Sequence, residues 1–563
     1  MPVWWLLLKL IFITGSLSGI GKGTIAASIA TILKICGFNT TIAKVDPYIN
    51  LDAGLMNPHE HGEVYVLDQI WDFRPARDLS YRICEVDQDF GTYERFLHQN
   101  LHPSHNITSG QVYLSVILRE RSGEYLGRTV QLIPHVTEEI KRRILEIASK
   151  HEVTIVEIGG TVGDYEASVF LEAIRQLKYE LPPKAVMIVH VVWVPFLKNT
   201  GEFKTKPAQH SFRLLLESGL TCDAIVARVD ENNLPLEAKR KLSLYSNVPI
   251  NGVFVAPNVA IIYELIFTLM QQKIHEYIFN ILGLDKRSLD TELINKWSSF
   301  IHALKSPREV VNIALVGKYT LTKDTYISIL EALRHASAYY QVRPEIAIID
   351  SEAIEREGIQ HLQAYDAIIL TPGFGKRGSE GMIRAAYYAL RTGTPFLGIC
   401  FGAQLATAAF ARYIVGLERA NSTEIDPETP YPVVDILPEQ RSVTNLGGTM
   451  RLGGIEIKII ENTKLYELYE SNKTRERFRH RYHIVWDFVK IFANHGYIVS
   501  AIDAEGNIAA FELKDHQFYI GVQYHPEYSS RPLKPHPLFV GLIQAALKRR
   551  SRTDGSHSEQ NKF

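Results

Sequence analysis

A chain of 563 residues is too long for one hydrophobic core and calls for two or three domains. Its 61 basic and 62 acidic residues nearly cancel, which excludes the global basic footprint of a nucleic-acid binder and leaves any anionic ligand to local Lys and Arg clusters. The four cysteines, Cys36, Cys84, Cys222 and Cys400, show neither disulfide nor metal spacing, as expected in a reducing compartment.

The opening apolar run, MPVWWLLLKLIFITG, is too short to span a bilayer, is interrupted by Lys9 and lacks a small-residue cleavage site. It reads as a buried first strand, Lys9–Thr14, feeding a glycine loop at Gly15. GSLSGIGKGT (15–24) then opens a predicted helix. Gly19, Gly21 and Gly23, with Lys22 and Thr24, supply what a phosphate cradle needs: flexible turns, forward-pointing N–H groups and a cation. The spacing departs from that of a Walker A loop.

AKVDPYINLDAG (43–54) places Lys44 and Asp46 at a strand end, facing the same way. VEIGGTVGDYEA (156–167) sets Glu157 at the end of a strand over Val153–Ile158, before a loop carrying Asp164, Tyr165 and Glu166. Strands over Ala185–Val192 and Ala224–Val229 bracket GEFKTKPAQHS (201–211), which concentrates Lys204 and Lys206 beside Gln209. Strands alternating with helices predict a parallel sheet covered on both faces. Ligands of such sheets gather at the carboxyl ends of the strands. These groups are therefore expected to converge on polyphosphate and Mg²⁺, a hard cation suited to oxygen ligands.

A charged stretch at 284–310 reads as a helical linker, and a second strand series starts at VNIALVGKY (311–319). TPFLGICFGAQLATAAFARY (394–413) is an apolar strand, a glycine-flanked turn and a helix, with Cys400 at the turn as in a nucleophile elbow. A helix N-terminus there would stabilise the thiolate, and free backbone N–H groups could hold an oxyanion. FYIGVQYHPEYS (518–529) supplies a base: His525 and Glu527, two apart at a strand end, project to one face, so that Glu527 can orient the imidazole. The expected fold is α/β, with two doubly wound domains, each a mainly parallel sheet flanked by helices, at 1–283 and 311–549, and a disordered tail at 550–563. No stretch is a transmembrane candidate, so a cytoplasmic protein is expected.

GICFGAQ with YHPE resembles the triad (class I) glutamine amidotransferases. GKYTLTKDTYISILEAL, ANSTEIDPE, GGTMRLG and RERFRHRY are similar to the glutaminase domain of the CTP synthase family; HGEVYVLD, GTYERFL and EYLGRTVQLIPHVTEEI are similar to its P-loop-like synthetase domain. The resemblance covers roughly residues 9–545. It implies Cys400, His525 and Glu527 as catalytic residues. Glutamine would be bound at Gly373, Phe401, Gly402, Ala403, Gln404, Glu424 and Arg481, the last two matching the ammonium and carboxylate of an amino acid. Lys22 and Lys44 would contact ATP phosphates, and Asp89 and Glu157 would hold Mg²⁺. UTP, or CTP as feedback inhibitor, would contact Ser18, Asp164–Glu166, Lys204–Gln209 and Lys241. GTP activation, a homotetramer and filaments are implied as well, with neither membrane nor nucleic acid as partner. Because bulk water at neutral pH would protonate ammonia, an enclosed passage between the two centres is also expected.

Three departures from the family pattern stand out. The first glycine loop is one residue short, TGS having a single glycine. DAIILTPGFGKRG (366–378) has only Gly373 before Phe374. A missing residue could displace an oxyanion N–H by roughly 3 Å, and losing one such donor costs on the order of 10²–10³ in rate. Residues 64–96 replace a short acidic turn by a longer aromatic-rich segment, read as a surface loop or as non-native coding sequence. The region expected near adenine, PNVAIIYE (257–264), also lacks the expected Asp and Ser. Two alternatives stand beside the main reading: an ATP-dependent amidotransferase with another acceptor, and a catalytically impaired paralogue with an assembly or regulatory role.

Overall fold

The computed structural model describes residues 8–231, 233–320 and 323–560, without the side chains of Lys323 and 552–560. The first seven residues of the opening apolar run, and the last three of the tail, lie outside the described residues. The final helix, Pro537–Gln560, continues past residue 550, where a disordered tail was expected from the polar composition. Contacts divide the chain into two units. One comprises the chain up to Ala53, Trp71–Ile83 and Asp89–Ile301; the other comprises Gly54–Ile70, Cys84–Gln88 and the chain from His302 onward.

The first unit is built on a seven-stranded sheet. Its order is Val253–Pro257, Ala224–Val229, Val186–Trp193, Lys9–Gly15, Val153–Ile158, Thr40–Asp46 and Asn106–Thr108, and every pairing is parallel. Thr40–Asp46 and Val153–Ile158 are buried throughout, polar residues included, as inner strands of a parallel sheet are when helices cover both faces. Register sets Lys44 beside Glu157 on one flank and Asn106 on the other, so strand alignment alone assembles a polar cluster at the carboxyl edge.

The second unit carries a nine-stranded sheet. Val342–Asp350, Glu309–Gly317, Ala367–Leu370, Phe396–Ile399 and Tyr519–Val522 are parallel neighbours. Ile508–Leu513, Tyr497–Asp503, Arg451–Ile459 and Lys473–His480 extend the sheet antiparallel. Alternate residues feed two cores: Ala314, Val316, Ile368 and Leu370 face one, and Ile313, Leu315 and Ile369 the other.

The aromatic-rich segment is a structural element rather than a loose loop. Tyr65–Ala76 and Leu79–Val86 pair as a two-stranded sheet about the turn at Arg77 and Asp78. Phe73, Ile83, Cys84 and Val86 are buried, so the insertion packs with an apolar face of its own. Among the described residues no helix is long and apolar enough to cross a membrane.

Candidate active sites

In the second unit the nucleophile and base arrive from adjacent strands. Ile399 lies opposite Val522, and the Cys400 N–H donates to the Val522 carbonyl at 2.7 Å. Cys400 has φ +52° and ψ −106°, a conformation costly for a side chain bearing Cβ and sustained only where the surroundings enforce it. The flanking glycines let them do so. A Cβ on Gly398 would lie 3.0 Å from the Ala403 nitrogen, and one on Gly402 would lie 2.4 Å from the Leu370 carbonyl oxygen. Strand and helix can cross this closely only without those atoms. The helix Phe401–Phe410 starts immediately, aiming the first-turn N–H groups that lack intrahelical partners toward the thiol.

Three residues beyond Val522, His525 Nδ1 stands 2.8 Å from Glu527 Oε1. The strand has already ended, and the short turn Pro526–Ser529 returns Glu527 to the ring, so the pair meets through a turn and not through strand alternation. His525 Nε2 is buried without a hydrogen-bond partner among the described residues, leaving it available to the thiol. Burial opposes a charge on this ring, but the Glu527 carboxylate and Cys400 outweigh it and raise its pKa to about 10. A protonated imidazole beside a buried sulfur favours the nucleophilic thiolate.

Cys400, His525, Gly373, Phe374, Tyr319 and Arg479 line one cavity. The shortened loop thus still brings Gly373 to the cavity wall, where its nearest non-neighbour contact for an added Cβ is Phe401, at 3.6 Å. Glu424 accepts the Gly375 N–H at 2.7 Å, and burial raises its pKa despite that bond and the nearby Lys318. Gln404 is turned to the Tyr482 carbonyl, at 3.0 Å, and to Gln523. Ala403 and Gly402 lie within the helix and are buried. Arg481 binds the Leu446 carbonyl at 2.7 Å and Thr449 at 3.0 Å, with Gln440 as a third partner, while Arg479 takes the place at the cavity wall. Arg479 is fixed there by Glu85 at 2.7 Å. Sequence reasoning missed Arg479, Tyr319 and Lys318. The signal for Lys318 was available: it immediately follows the strand Glu309–Gly317, on the edge where ligands gather.

The cluster in the first unit forms around Gly23. A Cβ there would meet Asp89 Oδ1 at 2.8 Å and Glu157 Oε2 at 3.2 Å, so two carboxylates converge where only glycine fits. Lys44 Nζ bridges Asp89 at 2.7 Å and Asp46 at 3.2 Å, and Asn106 donates to Asp46 at 2.7 Å. Tyr93 donates to Glu157. Burial, reinforced by Asp89, pushes the Glu157 carboxyl up to about 8 even though Lys44 and Lys22 pull the other way. Lys22 itself donates to the Gly160 carbonyl at 2.7 Å and to that of Leu17 at 3.1 Å, and burial lowers its pKa. Two carboxylates side by side, Glu157 buried and Asp89 half-buried, suit a divalent cation, which would relieve their repulsion. Among the described residues no group of three or more His, Cys, Asp or Glu side chains could hold a metal.

The remaining predicted nucleotide contacts are more dispersed. Gly19 and Gly21 take positive φ in the exposed part of the loop that also carries Ser18, and Thr24 lies in the first turn of the helix. Asp164 closes its own loop on the Thr161 N–H at 2.9 Å, and Tyr165 and Glu166 are exposed. Lys204 hydrogen-bonds Glu202 and, with a smaller contribution from the charge of Lys241, holds its carboxyl below the usual range, while Lys241 itself pairs with Glu237 at 3.4 Å. Lys206 and Gln209 belong to the helix Lys206–Glu217, where Gln209 donates to Thr205 at 2.9 Å.

Two family models match the chain, the CTP synthase N-terminus over residues 9–284 and the class-I glutamine amidotransferases over residues 321–545. A CTP synthase of Pyrococcus abyssi is 47% identical over 98% of this chain and 100% of its own length. That of Thermococcus gammatolerans is 48% identical over 96% of this chain and 99% of its own, and that of Sulfurisphaera tokodaii 46% identical over 96% and 99%. Likeness at this level over nearly the whole length of both chains decides the matter: this chain belongs to the CTP synthase family.

Proposed function

We propose that the chain converts UTP to CTP at the expense of ATP, with ammonia released from glutamine. The observation that carries this reading is the His525–Glu527 pair, closed at 2.8 Å in the turn just past the strand that neighbours the one ending in the Cys400 elbow. An intact elbow with a paired base also argues against the non-catalytic alternative.

In this reading the Cys400 thiolate attacks the glutamine amide carbon, and His525 passes its proton to the departing nitrogen. The N–H groups at Gly373 and Phe401 hold the oxyanion, and water then releases glutamate from the thioester. Glu424 and Gln404, with Arg481, orient the amino acid; of the two arginines, Arg479 is the one that lines the cavity. In the first unit, Lys22 and Lys44 take the ATP phosphates, and Asp89 and Glu157 would hold Mg²⁺. A bound ion there would supply electrostatic neutralisation of the charge on the transferring group. Phosphorylation of O4 of the uracil ring turns a poor leaving group into phosphate, and ammonia at C4 displaces it, giving CTP, ADP and phosphate. Ser18, Asp164–Glu166, Lys204–Gln209 and Lys241 form the UTP and CTP contacts. Dispersed as they are within one protomer, they accord with a site completed in a homotetramer. Activation by GTP, inhibition by CTP and work in the cytoplasm belong to the same reading, the last supported by four free cysteines.

The test is a panel of carbonyl acceptors offered with ATP and either glutamine or ammonia. UTP is expected to be consumed in preference, yielding CTP with both nitrogen sources. Preference for another acceptor, or turnover with neither source, would reject the reading.

A further inference from the structure

The oxyanion loop 372–375 is short and contains two glycines, so something outside it must fix its shape. Lys318 is placed to do this. It is 3% exposed and its Nζ donates to the Phe374 carbonyl at 3.0 Å and to that of Gly375. The same ammonium lies 4.2 Å over the ring of Phe401, the residue directly after Cys400. The peptide joining Phe374 to Gly375 is therefore held at both ends: Lys318 takes its oxygen, and Glu424 takes its N–H at 2.7 Å. A peptide bound on both edges cannot rotate, and its orientation sets that of the preceding units containing Gly373.

Burying an ammonium is costly unless it is compensated. Burial draws the Lys318 pKa down to about 8; Glu424, Glu355 and Glu352 favour its charge and Arg377 opposes it. An apolar residue of the same length would fill the space at less cost, so packing alone does not explain a lysine here.

We propose that Lys318 is a positioning residue for glutamine hydrolysis, clamping the 372–375 loop against Phe401 so that N–H donors from both sides face one carbonyl oxygen in front of Cys400. This rests on the glutaminase reading above. It gives the short loop an external brace in place of the residue it lacks.

Lys318→Met keeps the stem and removes the donors. It is to be compared with the unaltered full-length chain for glutamine hydrolysis, for ammonia-dependent CTP formation and for alkylation of Cys400 by iodoacetamide. The expected result is a fall of about 10²-fold in kcat on glutamine, the scale of a small misplacement of catalytic groups, with KM moved less than about threefold. Cys400 alkylation and ammonia-dependent synthesis should stay unchanged. Retention of kcat overturns the proposal, as does a fall in alkylation parallel to kcat, which would mean that the site has collapsed. If the unaltered chain shows no Cys400-dependent hydrolysis, the glutaminase reading fails and the proposal fails with it.

Discussion

The Tyr528 ring lies flat against the His525 imidazole, with centroids 5.1 Å apart and planes 8° from parallel. Its hydroxyl donates to the Val64 carbonyl at 3.0 Å, and the Tyr65 hydroxyl donates back to the Tyr528 carbonyl at 2.9 Å. The strand beginning at Tyr65 thus pins the ring that pins the catalytic imidazole. Tyr528→Phe keeps the stack and loses one buried hydrogen bond, so a stability loss of about 1 kcal/mol is expected. Tyr528→Ala removes the wall itself, and kcat on glutamine should drop about tenfold while ammonia-dependent synthesis is spared. Steady-state kinetics with both nitrogen sources checks this; equal losses would contradict a role at His525.

Two glycines at the thiol site should respond unequally to alanine. At Gly402 the new methyl would meet the Leu370 carbonyl oxygen at 2.4 Å, a backbone atom that cannot swing aside. A loss of about 3 kcal/mol is expected, in the range of severe overpacking. At Gly373 the nearest contact is 3.6 Å and the backbone angle is ordinary, so the loss should stay below about 1 kcal/mol. Denaturant midpoints of the two variants decide it, and similar losses would mean that the elbow is less tightly crossed than the geometry requires.

His525 titrates at about 10 in the folded chain, against an ordinary value of 6.5. Burial works against the proton, and Glu527 with Cys400 overcomes it. The folded state holds the proton more tightly, so the stabilisation is complete below the unfolded value and is lost as pH rises through the folded one. Glu527→Gln leaves Cys400 alone to oppose burial, so the imidazole pKa falls. The stability gap between the two proteins should be widest near the acid end of the 6.5–10 window and narrow toward its alkaline end. Urea melts across that window measure the gap, and a gap that widens upward would contradict the assignment.

Asp89→Asn removes one of the two carboxylates beside Gly23 and one ion-pair partner of Lys44. CTP formation should fall about 10²-fold whichever nitrogen source is used, as for loss of a group that holds a catalytic cation. Glutamine hydrolysis measured without nucleotides should be unchanged. Loss confined to the glutamine-driven reaction would place Asp89 in the wrong centre.

Much of this was legible because the informative residues sit where strands end. The elbow at Cys400 and the cluster of Lys44, Asp46 and Glu157 follow from apolar runs that stop at a polar residue. Other features depend on pairings that no local pattern encodes. Arg479 reaches the cavity through Glu85, nearly 400 positions away in the chain, and the hairpin following Val64 was unreadable as a packed element because its exposed face is polar and aromatic by turns. Glu527 met His525 as expected, but through a turn, since the strand ends before either residue.

In the proposed reaction one chain holds two centres, a thiol that liberates ammonia and a nucleotide site that uses it. Cys400→Ala tests it most directly, with CTP formation from UTP and ATP measured separately with glutamine and with ammonium salt. The glutamine-driven reaction is expected to disappear and the ammonia-driven reaction to persist at its original rate. Equal loss of both would contradict it.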